Sequence, residues 1–281
     1  MGTARLEEMT WVEVDRLDKD STILFIPVSP IEEHGPHLPL GTDLFGARDM
    51  AEKAAVAATA ANPQLGVILV PPIPLGCTPV TSDFPGSLSL RGTTLKAVIR
   101  DVCTSLAGHG FRYMLIVNHH LDPMHMKAIL EAIEEVCAAY PVRIAELWSR
   151  VIYAGMETEE SRRCISMGLD MAQEVHAEAR ETSYILYQYR HLLKSDPAQL
   201  PAVHIDVRKG VAEGSKTFRQ MGARMGYIGS PAAAEKDLGR LHLEEGAQLA
   251  AELAARLIGG DPLPEISAKM KRFLEDHVQL D

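Results

Sequence analysis

The chain has 281 residues, with 28 Lys and Arg against 38 Asp and Glu and a formal net charge of −10. Hydrophobic residues make up 46% and charged residues 23%, which excludes a disordered chain and fits one globular domain over residues 1–281. The acidic balance argues against a nucleic-acid groove, and no apolar run approaches the roughly 18 residues of a membrane span.

The N-terminus carries acids where a signal peptide needs a basic and then an apolar segment. Met9-Thr10-Trp11 leads into Thr22–Val28, a short apolar run that reads as a buried strand. Val67–Val70, Tyr113–Val117 and Val142–Leu147 read the same way. Helical stretches lie between and after them, at about 44–61, 93–108, 124–139, 177–189, 232–257 and 266–277. The segment from about 191 to 229 has weak periodicity and reads as loop-rich, and the Lys and Arg scatter near 209–224 reads as a solvated surface or a subunit contact. Strand–helix alternation predicts an α/β fold, a mostly parallel sheet with helices on both faces. The four cysteines are far apart and form no CxxC pair, which excludes a zinc ribbon or a disulfide framework. No G-x-G-x-x-G follows a strand, so no dinucleotide site is indicated. A cytoplasmic protein acting on a small molecule, with neither nucleic acid nor membrane as partner, is expected.

In a sheet of this kind ligands bind beyond the carboxyl ends of the strands. The first strand is followed by Glu32, His34 and Asp43, and the third by Asn118-His119-His120-Leu121-Asp122. Extended residues two apart point the same way, so Glu32 pairs with His34 and His120 with Asp122, while His119 faces away. Each has a plain structural role when taken singly. Asp43 and Asp122 precede helices and can cap them, and His37 and His119 can be structural histidines. Taken together, two imidazoles and three carboxylates are costly unless a cation neutralises them. They are the donor set of Zn, Mn or Fe, and a bridging carboxylate suits two divalent ions.

The residues Glu32-Glu33-His34-Gly35-Pro36-His37-Leu38-Pro39, followed by Asp43, resemble the E-x-H-G-x-H-L-P…D pattern of the creatininase (creatinine amidohydrolase) family. Asp83-Phe84-Pro85-Gly86-Ser87-Leu88-Ser89-Leu90 is similar to its FPGT-x-S-L segment, and Asn118–Asp122 to its N-G-H-x-E. His176-Ala177-Glu178-Ala179-Arg180-Glu181-Thr182-Ser183 is similar to its H-A-G-x-x-E-T-S, and Gly229-Ser230-Pro231 to its G-D-P ending. The resemblance implies a homohexameric, metal-dependent amide hydrolase with two ions per chain. Asp43 would bridge them, His34 and Asp122 would complete one shell, and Glu32 and His120 the other. His176 would carry protons near the substrate, with Glu174 as a nearby acid and Asp122 also counted among the catalytic groups. Departures are Asp122 for glutamate, His119 and Glu178 for glycines, Gly76-Cys77-Thr78-Pro79-Val80 for a loop bearing serine and histidine, and Ser29-Pro30 for Gly-Ser.

The implied reaction is hydrolysis of a small cyclic or linear C–N bond. Deformylation, or attack on a nucleotide- or sugar-derived amide, is the alternative, and a non-catalytic assembly subunit a further one. No motif places an aromatic residue at the pocket, since Trp11 and Trp148, the only tryptophans, lie outside the pocket motifs. Creatinine, a flat ring that stacks on aromatic walls, is therefore expected to be a poor substrate, and Glu178 to meet a basic or hydroxylated one.

Overall fold

The structure is a computed structural model that describes residues 3–281. Five strands, β1 (Thr3–Arg5), β2 (Thr22–Val28), β3 (Gly66–Leu69), β4 (Tyr113–Asn118) and β5 (Arg143–Glu146), form one parallel sheet in the order β1-β3-β2-β4-β5. All seven residues of β2 are buried, as its unbroken apolar run requires when helices cover both faces. Alternation along the strands feeds two separate cores. Ile23, Phe25, Leu115 and Val117 point into one, and Leu24, Ile26, Met114 and Ile116 into the other.

The first core is closed by α2 (Thr42–Ala61), α6 (Ala179–Gln188) and α8 (Lys236–Gly259), and the second by α3 (Gly92–Gly108) and α4 (Pro123–Ala139). Helices α2 and α8 pack through small residues, among them Ala47, Ala51, Ala54, Gly246, Ala250 and Ala254, so their backbones approach closely. Helices α6 and α8 come closer still: a Cβ on Gly239 would lie 1.9 Å from the Ser183 carbonyl oxygen. The expected helices and strands all form, β2 with the expected ends and the others with ends displaced by at most four residues.

Four elements were not foreseen: β1, α1 (Trp11–Asp15), α5 (Glu159–Ser166) and α7 (Val207–Ala212), all short. Each helix among them is set by a capping side chain, with Thr10, Thr158 and Asp206 accepting backbone N–H groups. Helix α1 begins at Trp11 and precedes β2, where the sequence suggested direct entry into the strand. Residues 191–229 are loop-rich as expected, broken by two 3-10 turns and α7. No helix among the described residues is long and apolar enough to cross a membrane.

Candidate metal centre

The carboxyl ends of β2 and β4 are knotted together. Ser29 Oγ donates to Asn118 Oδ1 (3.1 Å) and accepts from the His119 backbone N–H (3.0 Å), while the His120 N–H reaches Asn118 Oδ1 at 2.8 Å. The loop after β2 is drawn down over this knot, with Glu32, Glu33, His34 and His37 all buried. Asp43 enters in the first turn of α2, where the helix N-terminus favours a carboxylate. Helix α6 supplies Glu181 from its own first turn, and the Glu181 carboxylate accepts the Ala177 N–H at 2.6 Å.

These segments converge. His120 Nδ1 lies 3.0 Å from Glu32 Oε2 and 3.2 Å from Asp43 Oδ2. His34 Nε2 lies 3.5 Å from Asp43 Oδ1 and 3.7 Å from Glu181 Oε2. Two groups of donor atoms result, Glu32–Asp43–His120 and His34–Asp43–Glu181, each within 4.8 Å and both sharing Asp43. A third, Glu32–His34–His176, overlaps them. Glu32 Oε2, Asp43 Oδ2 and His34 Nε2 are buried and have no hydrogen-bond partner, a costly arrangement that a cation would relieve.

The imidazoles are oriented for such a role. His120 donates Nε2–H to the Cys77 carbonyl (3.0 Å), and His34 donates Nδ1–H to the Glu32 carbonyl (3.0 Å). Each is left with its other nitrogen directed at the carboxylates, the usual device for fixing the tautomer of a ligating histidine. The second oxygen of Glu32, Oε1, is taken by the hydroxyls of Thr78 and Thr81, the latter at 2.9 Å. Thr78 lies in the loop where the sequence departs from the creatininase pattern and Thr81 directly follows it, and nothing in that pattern marked them.

Charge is balanced within the cluster. Burial alone would raise the Glu32 pKa, but the charges of His120 and His176 outweigh it and hold Glu32 down at about 2. Burial works against a charged His34, yet Asp43 pulls its pKa up to about 10. His176 is likewise opposed by burial and raised by Glu32 to about 9. The carboxylates demand positive charge, and protons on the rings answer the same demand that metal ions would.

Of the residues singled out from sequence, Glu32, His34, Asp43, His120 and His176 are brought together. Asp122 is not. Its Oδ1 accepts the N–H groups of Met124 (2.8 Å) and His125 (3.3 Å), capping α4, and it belongs to none of the three groups although it lines the same cavity. Glu181 occupies the corresponding place beside His34. Glu174 also stays apart, with Oε2 accepting the N–H groups of Ala179 and Ser230, both at 3.2 Å. Its work is to tie the start of α6 to the Gly229–Ser230 turn. His119 does not face away: its Nδ1 lies 3.1 Å from Asp43 Oδ1. Strand β4 ends at Asn118, so strand alternation no longer applies beyond it.

The cavity over the cluster has a volume of about 270 Å³. Trp148 and Phe218 both line it, contrary to the expectation of a pocket without aromatic walls. Trp148 is held by its indole N–H, which donates to the Asn118 carbonyl at 2.8 Å, and the Phe218 ring sits 5.5 Å from that of His176. Both reach the cavity from segments that carry no recognisable motif. Glu178 lines the cavity too, but its Oε1 is held by Arg180 Nε and its Oε2 by the Arg180 N–H, so it is not free to meet a basic substrate. Burial pushes Glu178 up to about 7 against the pull of Arg180. Cys77 is buried, and its thiol is pushed up to about 12, so it is no nucleophile.

A parallel α/β sheet with a buried carboxylate–imidazole cluster beyond its central strands defines an α/β protein with a candidate metal centre. The chain belongs to the creatininase family, whose sequence model, described as creatinine amidohydrolase, matches residues 7–254. It is 27% identical to creatinine amidohydrolase of Pseudomonas putida over 121 residues, 41% of this chain and 44% of that protein. It is 24% identical to 3-dehydro-scyllo-inosose hydrolase of Thermotoga maritima over 208 residues, 71% of this chain and 63% of that protein. The matches thus span less than two thirds of either relative. The fold is similar to that of a manganese form of creatininase, with a TM-score of 0.69 at 21% identity, covering 89% of this chain and 97% of that one.

Proposed function

We propose that the chain is a metal-dependent hydrolase of a small amide C–N bond, cyclic or linear, holding two divalent ions of zinc or manganese. The observation that carries this reading is the convergence of three unpartnered buried ligand atoms, Glu32 Oε2, Asp43 Oδ2 and His34 Nε2. Glu32, Asp43 and His120 would hold one ion, and His34, Asp43 and Glu181 the other. Asp122 serves as cavity wall and helix cap. When bound, such ions polarise a carbonyl and lower the pKa of a water toward neutrality.

Hydrolysis adds water across the bond: oxygen goes to the carbonyl carbon and a proton to the departing nitrogen. His176 is the proton carrier. Its Nε2 donates to the Glu33 carbonyl at 2.8 Å, which leaves Nδ1 as the nitrogen that takes and returns a proton. Trp148 and Phe218 supply flat apolar walls for a ligand in the cavity. Because Trp148 and Phe218 line the cavity, the want of aromatic walls no longer argues that creatinine is a poor substrate. The test is metal analysis after loading with Zn²⁺ or Mn²⁺, followed by a panel of creatinine, lactams, cyclic ureas, formamides and a short peptide. About two ions per chain and turnover of one amide class are expected. A chain that takes up neither ion overturns the reading.

A further inference from the structure

Beside Asp43 runs a row of buried polar side chains, His119, His242 and Glu160, which also line the cavity and which the hydrolytic chemistry leaves unused. Asp43 Oδ1 faces His119 Nδ1 at 3.1 Å, His119 Nε2 faces His242 Nε2 at 2.7 Å, and His242 Nδ1 faces Glu160 Oε1 at 2.7 Å. The four residues come from α2, the end of β4, α8 and α5, and all are buried. None of the motifs read from the sequence includes His242 or Glu160.

Proton placement along the row follows from its two ends. A carboxylate only accepts, so His119 carries its proton on Nδ1 toward Asp43. His119 Nε2 then holds a lone pair, and His242 Nε2 must donate to it. At the far end His242 Nδ1 meets a second carboxylate oxygen and carries a proton as well. His242 is thus an imidazolium paired with the Glu160 carboxylate, and the pair adds no net charge to a site crowded with acids.

The surroundings are shaped for this row. Gly46 lies within α2, where glycine is ordinarily unfavourable, and a Cβ there would lie 2.3 Å from His119 Cδ2. The Glu245 carboxylate of α8 accepts the N–H groups of Glu159 (2.6 Å) and Glu160 (2.8 Å), fixing the start of α5 against the helix that bears His242.

We propose that Glu160, His242 and His119 form a positioning chain that holds the Asp43 carboxylate so that Oδ1 serves the His34–Glu181 group and Oδ2 the Glu32–His120 group. The proposal rests on the reading of Asp43 as the shared ligand. Outer partners of this kind set the orientation of a ligating carboxylate, and their loss costs about 10–100-fold in metal affinity.

The test is a titration of the whole chain with Zn²⁺ or Mn²⁺ against a chromophoric chelator, with unfolding of the chelator-treated protein measured in parallel. His242→Leu is expected to weaken at least one ion about 10–100-fold. Glu160→Gln is expected to lose stability with the ion pair but to keep metal affinity close to wild type, because its amide N–H can donate to His242 Nδ1 while His242 Nε2–H still donates to His119; affinity lost with Glu160→Gln would mean that charge, not the hydrogen-bonded row, holds Asp43, and would overturn the proposal. Should His242→Leu fail to fold, His119→Ala and Gly46→Ala break the row from its other end. Wild-type affinity in His242→Leu or His119→Ala, with stability alone reduced, would make the row mere packing and overturn the proposal. A wild-type chain that binds no ion would overturn the metal reading itself, a distinguishable failure.

Discussion

Replacing Gly239 by alanine tests whether the α6–α8 contact places the site. The added Cβ would sit 1.9 Å from the Ser183 carbonyl oxygen, against about 3.4 Å for ordinary contact, so the helices must part by about 1.5 Å. The obstructing atom is backbone and cannot rotate away. Overpacking of this sort costs about 1–3 kcal/mol. A gap of about 0.5–1 Å already forfeits a quarter to a half of each dispersion contact, and the wider one here weakens those of Tyr184, Ile185 and Leu243 at least as much. Alanine in a helix interior returns only about 0.5–1 kcal/mol. The net expectation is a loss of about 2–3 kcal/mol and, at about 2–4 °C per kcal/mol, a Tm lowered by about 4–12 °C. Because α6 carries Glu181, the same shift should weaken binding of the ion beside His34. Thermal and urea unfolding with a parallel metal titration decide the matter. A variant as stable as wild type would refute the packing argument.

Other outcomes follow from the site. His120→Ala should reduce bound metal from about two ions to about one per chain, read by elemental analysis. Chelation should lower the unfolding midpoint, since metal at a hundred times its Kd stabilises the native state by about 2.7 kcal/mol; a midpoint indifferent to chelator would contradict the proposed ligand set. Trp148→Ala should cost about 3–5 kcal/mol by emptying a wall of the cavity, measured by urea unfolding. Glu160 gives a pH signature. Burial opposes its charge, but His242 holds it at about 2, below the ordinary 4.5. A lowered carboxylate stabilises above 4.5 and loses that contribution as pH falls toward 2. The stability gap between wild type and Glu160→Gln should therefore be about 3 kcal/mol at neutral pH and close between pH 4.5 and 2. A gap constant with pH would mean the ion pair is absent.

The central strands and long helices were legible because each couples a clear apolar period to burial on one or two faces, β2 most plainly. Glu32, His34, Asp43 and His120 were legible because a strand end or helix start fixes each of them locally. Glu181 sat in view within a recognised motif, but only the fold of α6 over β2 puts it beside His34. Asp122 misled for a local reason: an aspartate directly before Pro123 is a strong cap, and its shorter side chain stays with the helix it caps. Trp148, Phe218, Thr78, Thr81, Glu160 and His242 reach the site through long-range packing, which no spacing along the chain encodes.

The knot between Ser29 and Asn118 sits at the end of the one strand pair, β2 with β4, that joins segments about ninety residues apart at the centre of the sheet. Such pairing is slow to form and can be formed wrongly. A slip of one residue would turn the apolar side chains to the wrong core and correct itself energetically. A slip of two would keep every face correct yet carry Glu32 about 6.6 Å away from His120. The hydrophobic layers are nearly blind to that error, whereas the hydroxyl–amide knot and the donor cluster are not. If the cluster takes up metal as proposed, uptake would also be a check on strand register: only molecules whose two central strands have paired correctly can close the site.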